Sequence, residues 1–429
     1  MLTPRTRIFR DIGELVTCSG PPLVATLDRS AAAAAAEAAL GLVHDAAVVV
    51  IDGRVAYAGP AAGMPGLATL PQPIEERSAG GRLMSPGLID PHTHIIWAGE
   101  RSLEFDLRNL GTSYLEIQRR GGGIRATVQA TNAATDEALV QGMRRRLQLL
   151  AAEGTTICEV KTGYALQPLG ELRLLELILR AGRAATTTLA FGAVSPTFLC
   201  HVPPAELGPP EAPARREFIE QLVAAIGQAA SHGADAVDVY CDQGAFTLDE
   251  AERLLRAGQQ AGLLLRCHAE QFSYSGAAAL AASLGAASVE HLEELDEPGV
   301  QALAQAGTVA NLLPGAALTL RLRWPDGWRL IRAGVPVALG TDWNPGSSDC
   351  ASLPLMMAVA CAQMGLSCAE AWLGVLRNAA RALRITDAGH LGPGARGDLV
   401  LWDAERYREI CQRLGGRRVH SVYVAGQVV

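Results

Sequence analysis

The stretch Pro86-Gly87-Leu88-Ile89-Asp90-Pro91-His92-Thr93-His94 carries more information about fold and chemistry than any other part of this chain. Its apolar beginning predicts a short buried strand, which ends in two histidines placed two positions apart. Side chains alternate along an extended strand, so both imidazoles should point to the same side. Imidazole is the commonest transition-metal ligand in proteins. The stretch therefore predicts half of a metal site, with a pair of purely structural histidines as the alternative.

Composition limits the classes of protein to consider. The chain has 429 residues, of which 49% are hydrophobic, so it can bury a large core and is neither fibrous nor disordered. A formal net charge of -7 without a long basic run predicts no nucleic-acid or membrane-surface partner. Nine cysteines without a Cys-x-x-Cys pair favour reduced thiols in a cytoplasmic protein. No segment is long and apolar enough to predict a membrane span.

Both ends of the chain predict β-hairpins. Asp52-Gly53 separates two β-branched runs within residues 46–58, and Ala425-Gly426 separates two more near the C-terminus. We therefore expect residues 1–84 and 387–429 to form one small sheet domain that encloses the domain 85–386. Ser30, followed by six alanines, predicts an N-capped surface helix or a flexible insertion.

Between the hairpins, short apolar runs alternate with longer amphipathic ones, as is typical of parallel βα units. Eight such units predict an α/β fold, a (β/α)8 barrel of the TIM type over residues 85–386. The predicted strands are Leu88 to His94, Thr155 to Val160, Thr187 to Val194, Ala236 to Cys241, Gly262 to His268, Ala287 to His291, Thr308 to Leu313 and Pro336 to Asp342.

Polar residues follow these runs at the ends where a barrel of this type places its active site. Five of the nine histidines lie there, which argues against coincidence; they are His92, His94, His201, His268 and His291. Asp342 ends the eighth run, and Tyr164 follows the second. We interpret the other four histidines as structural or solvated.

His92, His94, His268 and Asp342 form a ligand set that suits one Zn²⁺ or iron ion and leaves room for a water molecule. Coordination can lower the pKa of water from about 15.7 to about 7, which supplies a nucleophile at neutral pH. Either Asp342 or His291 can accept the proton of that water, and the sequence does not rank them. Lys161 could instead be carbamylated and bridge two metals, but four ligands already satisfy one ion.

Gln271 indicates which reaction the site supports. Zinc deaminases of this fold usually carry a glutamate three residues after the strand-five histidine, and this chain has Gln271 there. An amide cannot deliver a proton at neutral pH, so amide or lactam hydrolysis is favoured over deamination. The alternative is that Glu270 turns inward and supplies the acid.

Several loop residues suit substrate binding. Arg101, seven residues after His94, presents a fork that matches a carboxylate. Tyr164 and the segment Asn344-Pro345-Gly346-Ser347 add hydrogen-bonding groups and an exposed backbone. Gly121-Gly122-Gly123 lacks the lysine of a phosphate loop, so we interpret it as a mobile loop near the mouth of the barrel.

These motifs together resemble the imidazolonepropionase family of the amidohydrolase superfamily, from about Val48 to the C-terminus. The matching stretches are Pro86 to His94, Gly99 to Arg101, Gly121 to Ile124, Gly154 to Thr156, Glu159 to Tyr164, His268 to Gln271, Glu290 to Leu292, Leu312 to Gly315 and Thr341 to Ser347. Each is weak alone, but their order and spacing are highly specific.

The resemblance implies hydrolysis of 4-imidazolone-5-propionate to N-formimidoyl-L-glutamate in histidine degradation, with one Zn²⁺ or Fe³⁺ per subunit. It implies that Arg101 holds the propionate carboxylate and that the remaining substrate groups are contacted by Tyr164, His201, Gln271, Asn344, Gly346 and Ser347. It also implies a homodimer and a composite β-sandwich built from both termini. An amidohydrolase-type deaminase acting on a nitrogen heterocycle remains the alternative, and a catalytically silent barrel is a more distant one.

Overall fold

The computed structural model describes residues 5–23, 25–112, 116 and 122–429. Eight parallel strands form a nearly closed barrel in chain order from β6 to β13. They are β6 Leu88–Asp90, β7 Thr155–Lys161, β8 Ala193–Cys200, β9 Ala236–Cys241, β10 Leu264–Ala269, β11 Ser288–His291, β12 Val309–Leu312 and β13 Val337–Leu339. An isolated parallel bridge between Thr93 and Trp343 joins the chain beyond β6 to the chain beyond β13. The predicted barrel is therefore confirmed.

The prediction for the third barrel strand, Thr187 to Val194, was wrong: the strand is β8 and Thr187 ends a helix. The β-branched threonines suggested a strand, but the Thr186 and Thr188 hydroxyls donate to carbonyls three and four residues earlier and fit the helix end. Pro196 does not stop the strand, since pairing with β9 begins only at the next residue.

The predicted first and eighth strands were too long. The strand β6 ends at Asp90, and His92 and His94 lie in an extended segment beyond it. This segment is hydrogen-bonded to the chain after β13, through Asp342 N to His92 O at 3.0 Å and His94 N to Trp343 O at 3.0 Å. The two histidines are thus fixed by a backbone ladder outside the barrel sheet.

Helices connect the barrel strands. Among the described residues between β6 and β13 they are Ser102–Asn109, Ile124–Ala133, Asp136–Ala152, Pro168–Thr187, Pro213–His232, Leu248–Gln260, Ala277–Ser283, Glu297–Ala306, Pro314–Leu320 and Gly327–Arg332. Four more follow β13, namely Leu353–Gln363, Cys368–Val375, Arg377–Ala382 and Tyr407–Gln412. None of the described helices is long and apolar enough to cross a membrane.

The chain termini form a second, mixed sheet of eight strands. Its strands are β1 Thr6–Val16, β2 Leu42–Ile51, β3 Arg54–Pro60, β4 Ile74–Ser78, β5 Leu83–Pro86, β14 Leu399–Trp402, β15 Val419–Val424 and β16 Gln427–Val428. Both predicted hairpins are present, with the Asp52-Gly53 turn between β2 and β3 and the Ala425-Gly426 turn between β15 and β16. Antiparallel pairing of β14 with β5 joins the two ends of the chain.

The alanine-rich segment forms the helix Arg29–Leu40, but it is not the surface helix that we predicted. Its N-cap is Asp28, whose side chain accepts from Ala31 N, so Ser30 lies within the helix. Ala36, Ala39 and Leu40 are fully buried against the main hydrophobic core. Small side chains let this helix pack closely on its neighbours.

Candidate active site

Three histidines and one aspartate converge at the C-terminal end of the barrel. His92 Nε2 lies 3.2 Å from His94 Nε2, and Asp342 Oδ1 lies 3.4 Å and 3.3 Å from these two nitrogens. His268, in β10, completes a group of three imidazoles whose ligand atoms all lie within 4.8 Å of one another. All four side chains are buried. The sequence prediction placed these four residues together, and the structure does so.

Buried carboxylates face the outer ring nitrogens of two of these histidines. Glu290 Oε2 lies 3.0 Å from His92 Nδ1, and Asp238 Oδ2 lies 3.0 Å from His268 Nδ1. Glu290 can accept the Nδ1 hydrogen of His92 and so leave its Nε2 with a bare lone pair, while Asp238 lies beside His268 Nδ1 as a charged partner. Lone pairs that converge beside the Asp342 carboxylate repel one another unless a cation lies between them. The donor set therefore fits a metal ion.

The pKa shifts of these four residues also favour a bound cation. Burial lowers the pKa of His94 to about 4 and that of His268 to about 3, so both rings are neutral and can act as ligands. Burial and Lys161 also oppose protonation of His92, but hydrogen bonds to Asp342 and Glu290 raise its pKa to about 9. Burial opposes ionisation of Asp342 too, yet His92 and His94 hold its pKa well below the usual range. The cluster favours one positive charge, which a proton or a metal ion can supply.

Three residues at or just beyond the ends of barrel strands have left-handed backbone conformations, which non-glycine residues rarely adopt. Glu270 has φ 51°, His291 has φ 74° and Asp342 has φ 51°. Such strain persists where surrounding contacts over-determine the backbone, and it concentrates at functional sites. Here Asp90 supplies part of that support, since its carboxylate accepts from Thr341 N at 3.1 Å and Thr341 Oγ1 at 2.5 Å.

Lys161 lies inside the barrel below the cluster and is committed to an ion-pair network. Its Nζ lies 2.6 Å from Glu159 Oε1 and 2.7 Å from Asp238 Oδ2, with all three side chains buried. Burial acts against the charged form, but Asp238 and Glu159 raise the pKa of Lys161. A protonated amine cannot be carbamylated, so the structure argues against a lysine-bridged pair of metals.

Gln271 and Glu270 point to different places. Gln271 lines the cavity, with its carbonyl oxygen accepting from Tyr240 Oη at 3.0 Å and its backbone N donating to Asp242 at 2.8 Å. Because Tyr240 occupies the oxygen of the Gln271 amide, this side chain can act toward a ligand as a donor through its NH₂ group. The Glu270 carboxylate instead contacts Ser275 Oγ at 3.2 Å and Ala278 N at 3.2 Å. Glu270 therefore does not take the place of a deaminase acid.

His201 and Tyr164 form one wall of the cavity. The strand β8 ends at Cys200, so His201 follows it directly, and its Nδ1 lies 2.9 Å from Gly163 O. The His201 ring stacks on that of His94, with centroids 5.9 Å apart and planes 25° apart. Burial lowers the pKa of His201 to about 4, which keeps the ring neutral. The His291 ring lies beside the His268 ring, with the two centroids 5.3 Å apart.

Arg101 and the loop after β13 also line the cavity. Arg101 donates through Nε and Nη2 to Glu104 Oε2 at 2.9 Å and 2.8 Å. Asn344 holds the loop: its Oδ1 accepts from Gly346 N at 2.9 Å and Ser347 N at 2.8 Å. The Arg101 guanidinium fills the space that a Cβ on Gly346 would need.

Comparison with known proteins identifies the family. The amidohydrolase family model matches residues 83–429. The imidazolonepropionase of Myxococcus xanthus is 42% identical over 395 residues, covering 92% of each chain. That of Anaeromyxobacter dehalogenans is 42% identical over 413 residues, covering 95% of this chain and 94% of its own. This chain belongs to the imidazolonepropionase family of amidohydrolases.

Solved structures show how widely this fold is used beyond the imidazolonepropionases. The crystal structure of 5-methylcytosine deaminase from Klebsiella pneumoniae, liganded with 5-fluorocytosine, has a TM-score of 0.70 and 18% identity and covers 99% of this chain and 97% of its own. An adenosine deaminase from Xanthomonas campestris with bound zinc has a TM-score of 0.67 at 17% identity, covering 98% and 92%. At these identities the likeness shows the fold alone.

One cavity of about 1590 Å³ is lined by all the predicted site residues of this imidazolonepropionase-family chain except His92. His92 is fully buried. Gly121, the first residue of the predicted glycine loop 121–123, lies outside the described residues. Gly123, the last residue of that loop, donates through its backbone N to Glu104 Oε1 at 2.9 Å.

Sequence reasoning missed the residues that support the ligands. Asp238 and Tyr240 occupy alternate positions of the predicted fourth strand, so both face inward, and this spacing was a usable signal. Glu290 was part of a matched motif but was given no role. Asn311 in β12 donates to Glu290 Oε2 at 2.5 Å, and nothing in the sequence around it indicated this contact.

Proposed function

We propose that this chain hydrolyses the cyclic amide of 4-imidazolone-5-propionate to N-formimidoyl-L-glutamate in histidine catabolism. The observation that carries the proposal is the placement of a metal-ligand cluster, an amide side chain at Gln271 and the Arg101 guanidinium around one cavity. Membership of the imidazolonepropionase family supports the same reaction. A deaminase is not favoured, because Gln271 cannot supply the acid and Glu270 turns away.

We propose that His92, His94, His268 and Asp342 hold one Zn²⁺ or Fe³⁺ ion. Three neutral imidazoles and a carboxylate suit either ion. When bound, such an ion polarises a carbonyl and makes a water molecule a nucleophile at neutral pH.

The protein residues divide the remaining tasks. Water adds to the ring carbonyl carbon, the ring C–N bond breaks, and a carboxylic acid and an N–H form. The acid then loses its proton to solvent and becomes a carboxylate. Asp342 or His291 accepts the proton of the water and returns it to the departing nitrogen. The Gln271 amide donates a hydrogen bond to the substrate. Neutral His201 and Tyr164 orient the ring through hydrogen bonds.

Arg101 sets the polarity of substrate binding. Its guanidinium is the cation we assign to the propionate carboxylate, and Glu104 fixes its direction through two hydrogen bonds. Asn344, Gly346 and Ser347 form the adjacent loop, where Ser347 Oγ lies 3.4 Å from Asp342 Oδ2. These loop residues link the substrate-binding side of the cavity to the metal-ligand side.

We also propose a cytoplasmic homodimer with a barrel over residues 85–386 and a composite β-sandwich from residues 1–84 and 387–429. The absence of any disulfide among the nine cysteines supports a reducing compartment. The resemblance to the family supports the dimer. Light scattering of the purified protein at several concentrations tests the assembly, and a monomer at all of them would contradict it.

The reaction is tested by supplying 4-imidazolone-5-propionate and, separately, a panel of aminated heterocycles. We expect ring opening without ammonia release and one active-site metal per chain, together with loss of both metal and turnover in His268→Ala. Its control is His390→Ala, since His390 contacts Thr386 O outside the cavity. Ammonia release from the panel, or normal turnover by His268→Ala, would contradict the proposal.

A further inference from the structure

A second cluster of metal-ligating side chains lies outside the cavity lining and consists of three cysteines. Cys361 belongs to the helix Leu353–Gln363, Cys368 begins the helix Cys368–Val375, and Cys411 belongs to the helix Tyr407–Gln412. Their sulfur atoms all lie within 4.8 Å of one another. In the described part of the chain, this group and the histidine cluster are the two sets of three or more such residues that could hold a metal ion.

The spacing of these sulfurs suits a single ion. Thiolates bind Zn²⁺ at about 2.3 Å, which places two ligand sulfurs of a tetrahedral site roughly 3.8 Å apart. Small side-chain rotations within the observed spacing reach that geometry. Cys411 is buried, whereas Cys361 and Cys368 are partly exposed. An ion can therefore enter from solvent, and water can complete the fourth position.

The charged side chains near the three cysteines form ion pairs with one another. The carboxylates in reach are already paired: Glu37 Oε1 accepts from Arg408 at 2.7 Å, and Glu370 Oε1 accepts from Arg29 at 2.6 Å. The sulfurs are thus the available donors, and soft donors select thiophilic ions.

We propose that Cys361, Cys368 and Cys411 bind a thiophilic divalent ion of the Zn²⁺ class. The site would join two helices after the last barrel strand to the helix between β14 and β15, and so tie the barrel to the terminal sheet. Three mutually adjacent sulfurs favour an ion over a disulfide, which uses two sulfurs and leaves the third unpaired. The proposal stands on these residues alone and is independent of the reaction.

Cobalt distinguishes this site from the catalytic one. The full-length protein is freed of metal with a chelator, kept reduced with a phosphine, and titrated with Co²⁺. We expect two ions per chain and a thiolate-to-cobalt charge-transfer band, which the histidine and aspartate ligands cannot produce. Each of Cys361→Ser, Cys368→Ser and Cys411→Ser should bind one ion and lose most of the band.

Cys350→Ser is the matched control, because Cys350 is also partly exposed but lies outside the cluster. It should keep both ions and the full band, and circular dichroism shows which variants are folded. The wild-type spectrum tests the proposal even if a variant fails to fold. If the wild type shows no charge-transfer band after two equivalents of Co²⁺ have been added, the proposal is overturned. A band that survives in all three serine variants overturns it too.

Discussion

Arg101 and Gly346 share a small volume at the side of the cavity. A Cβ at position 346 would overlap the Arg101 guanidinium, and the φ of Gly346 itself is not left-handed. The absence of a side chain at 346, rather than backbone freedom, is therefore what lets Arg101 lie where it does. The sequence predicts that Arg101 and Gly346 both contact the substrate, but only the structure shows that Gly346 makes room for Arg101.

We predict that Gly346→Ala raises KM for imidazolonepropionate about tenfold, equivalent to about 1.4 kcal/mol, with a smaller change in kcat. The added methyl pushes the guanidinium away from the position that Glu104 fixes, and carboxylate binding weakens. Steady-state kinetics measures the effect. The control is Gly227→Ala, where nothing lies within 4 Å of the added Cβ. An unchanged KM in Gly346→Ala would refute the role of Arg101.

Glu290 contacts His92, one of the proposed metal ligands. We predict that Glu290→Gln weakens metal binding about 10- to 100-fold, because a neutral amide oxygen is a weaker acceptor than a carboxylate for His92 Nδ1 and Asn311 Nδ2. Competition with a chromophoric chelator measures the affinity. Glu294→Gln is the control, since Glu294 is partly exposed and lies 3.7 Å from Arg323. Equal affinities for the two variants would exclude the contribution of Glu290.

The helix Arg29–Leu40 is capped by Asp28, whereas the sequence predicted Ser30 as its cap. We predict that Asp28→Ala destabilises the protein by about 1 kcal/mol, because the Ala31 N–H loses its acceptor. Ser30→Ala should change the free energy of unfolding by no more than a few tenths of that, because Ser30 is already helical. Urea denaturation measures both. A larger effect at Ser30 would restore the cap predicted from the sequence.

The elements that the sequence predicted well are those with a local signal. Asp52-Gly53 and Ala425-Gly426 encode their turns directly, and the run Ala236 to Cys241 is bounded as predicted. The errors arise where contacts distant in sequence decide. Nothing local shows that Thr187 ends a helix that packs on β8, or that His92 and His94 are held by the segment near Asp342. The convergence of His92, His94, His268 and Asp342 was still predictable, because the order of strands fixes which ends meet.

Across the protein, the barrel and part of the terminal sheet share one hydrophobic core, while other residues of the sheet pack in a cluster of their own. Trp372, on a helix beyond the barrel, and Trp402, in β14, are fully buried with ring centroids 5.6 Å apart. Trp402 Nε1 donates to Ser85 Oγ at 2.9 Å, and Trp372 Nε1 donates to Tyr407 O at 2.9 Å. Both rings belong to the same hydrophobic cluster as the barrel strands.

This shared core predicts that the two parts unfold together. Trp402→Ala should lower the free energy of unfolding by about 3–5 kcal/mol and shift the loss of turnover and the loss of tryptophan fluorescence to the same lower denaturant concentration. Trp97→Ala is the comparison, because Trp97 packs in a separate cluster beside the active-site loops. If Trp402→Ala unfolds the sheet while turnover persists, the two parts are independent and the terminal sheet is an appendage. Coincident transitions would instead mean that the catalytic barrel depends on β14, more than three hundred residues beyond His94, to remain folded.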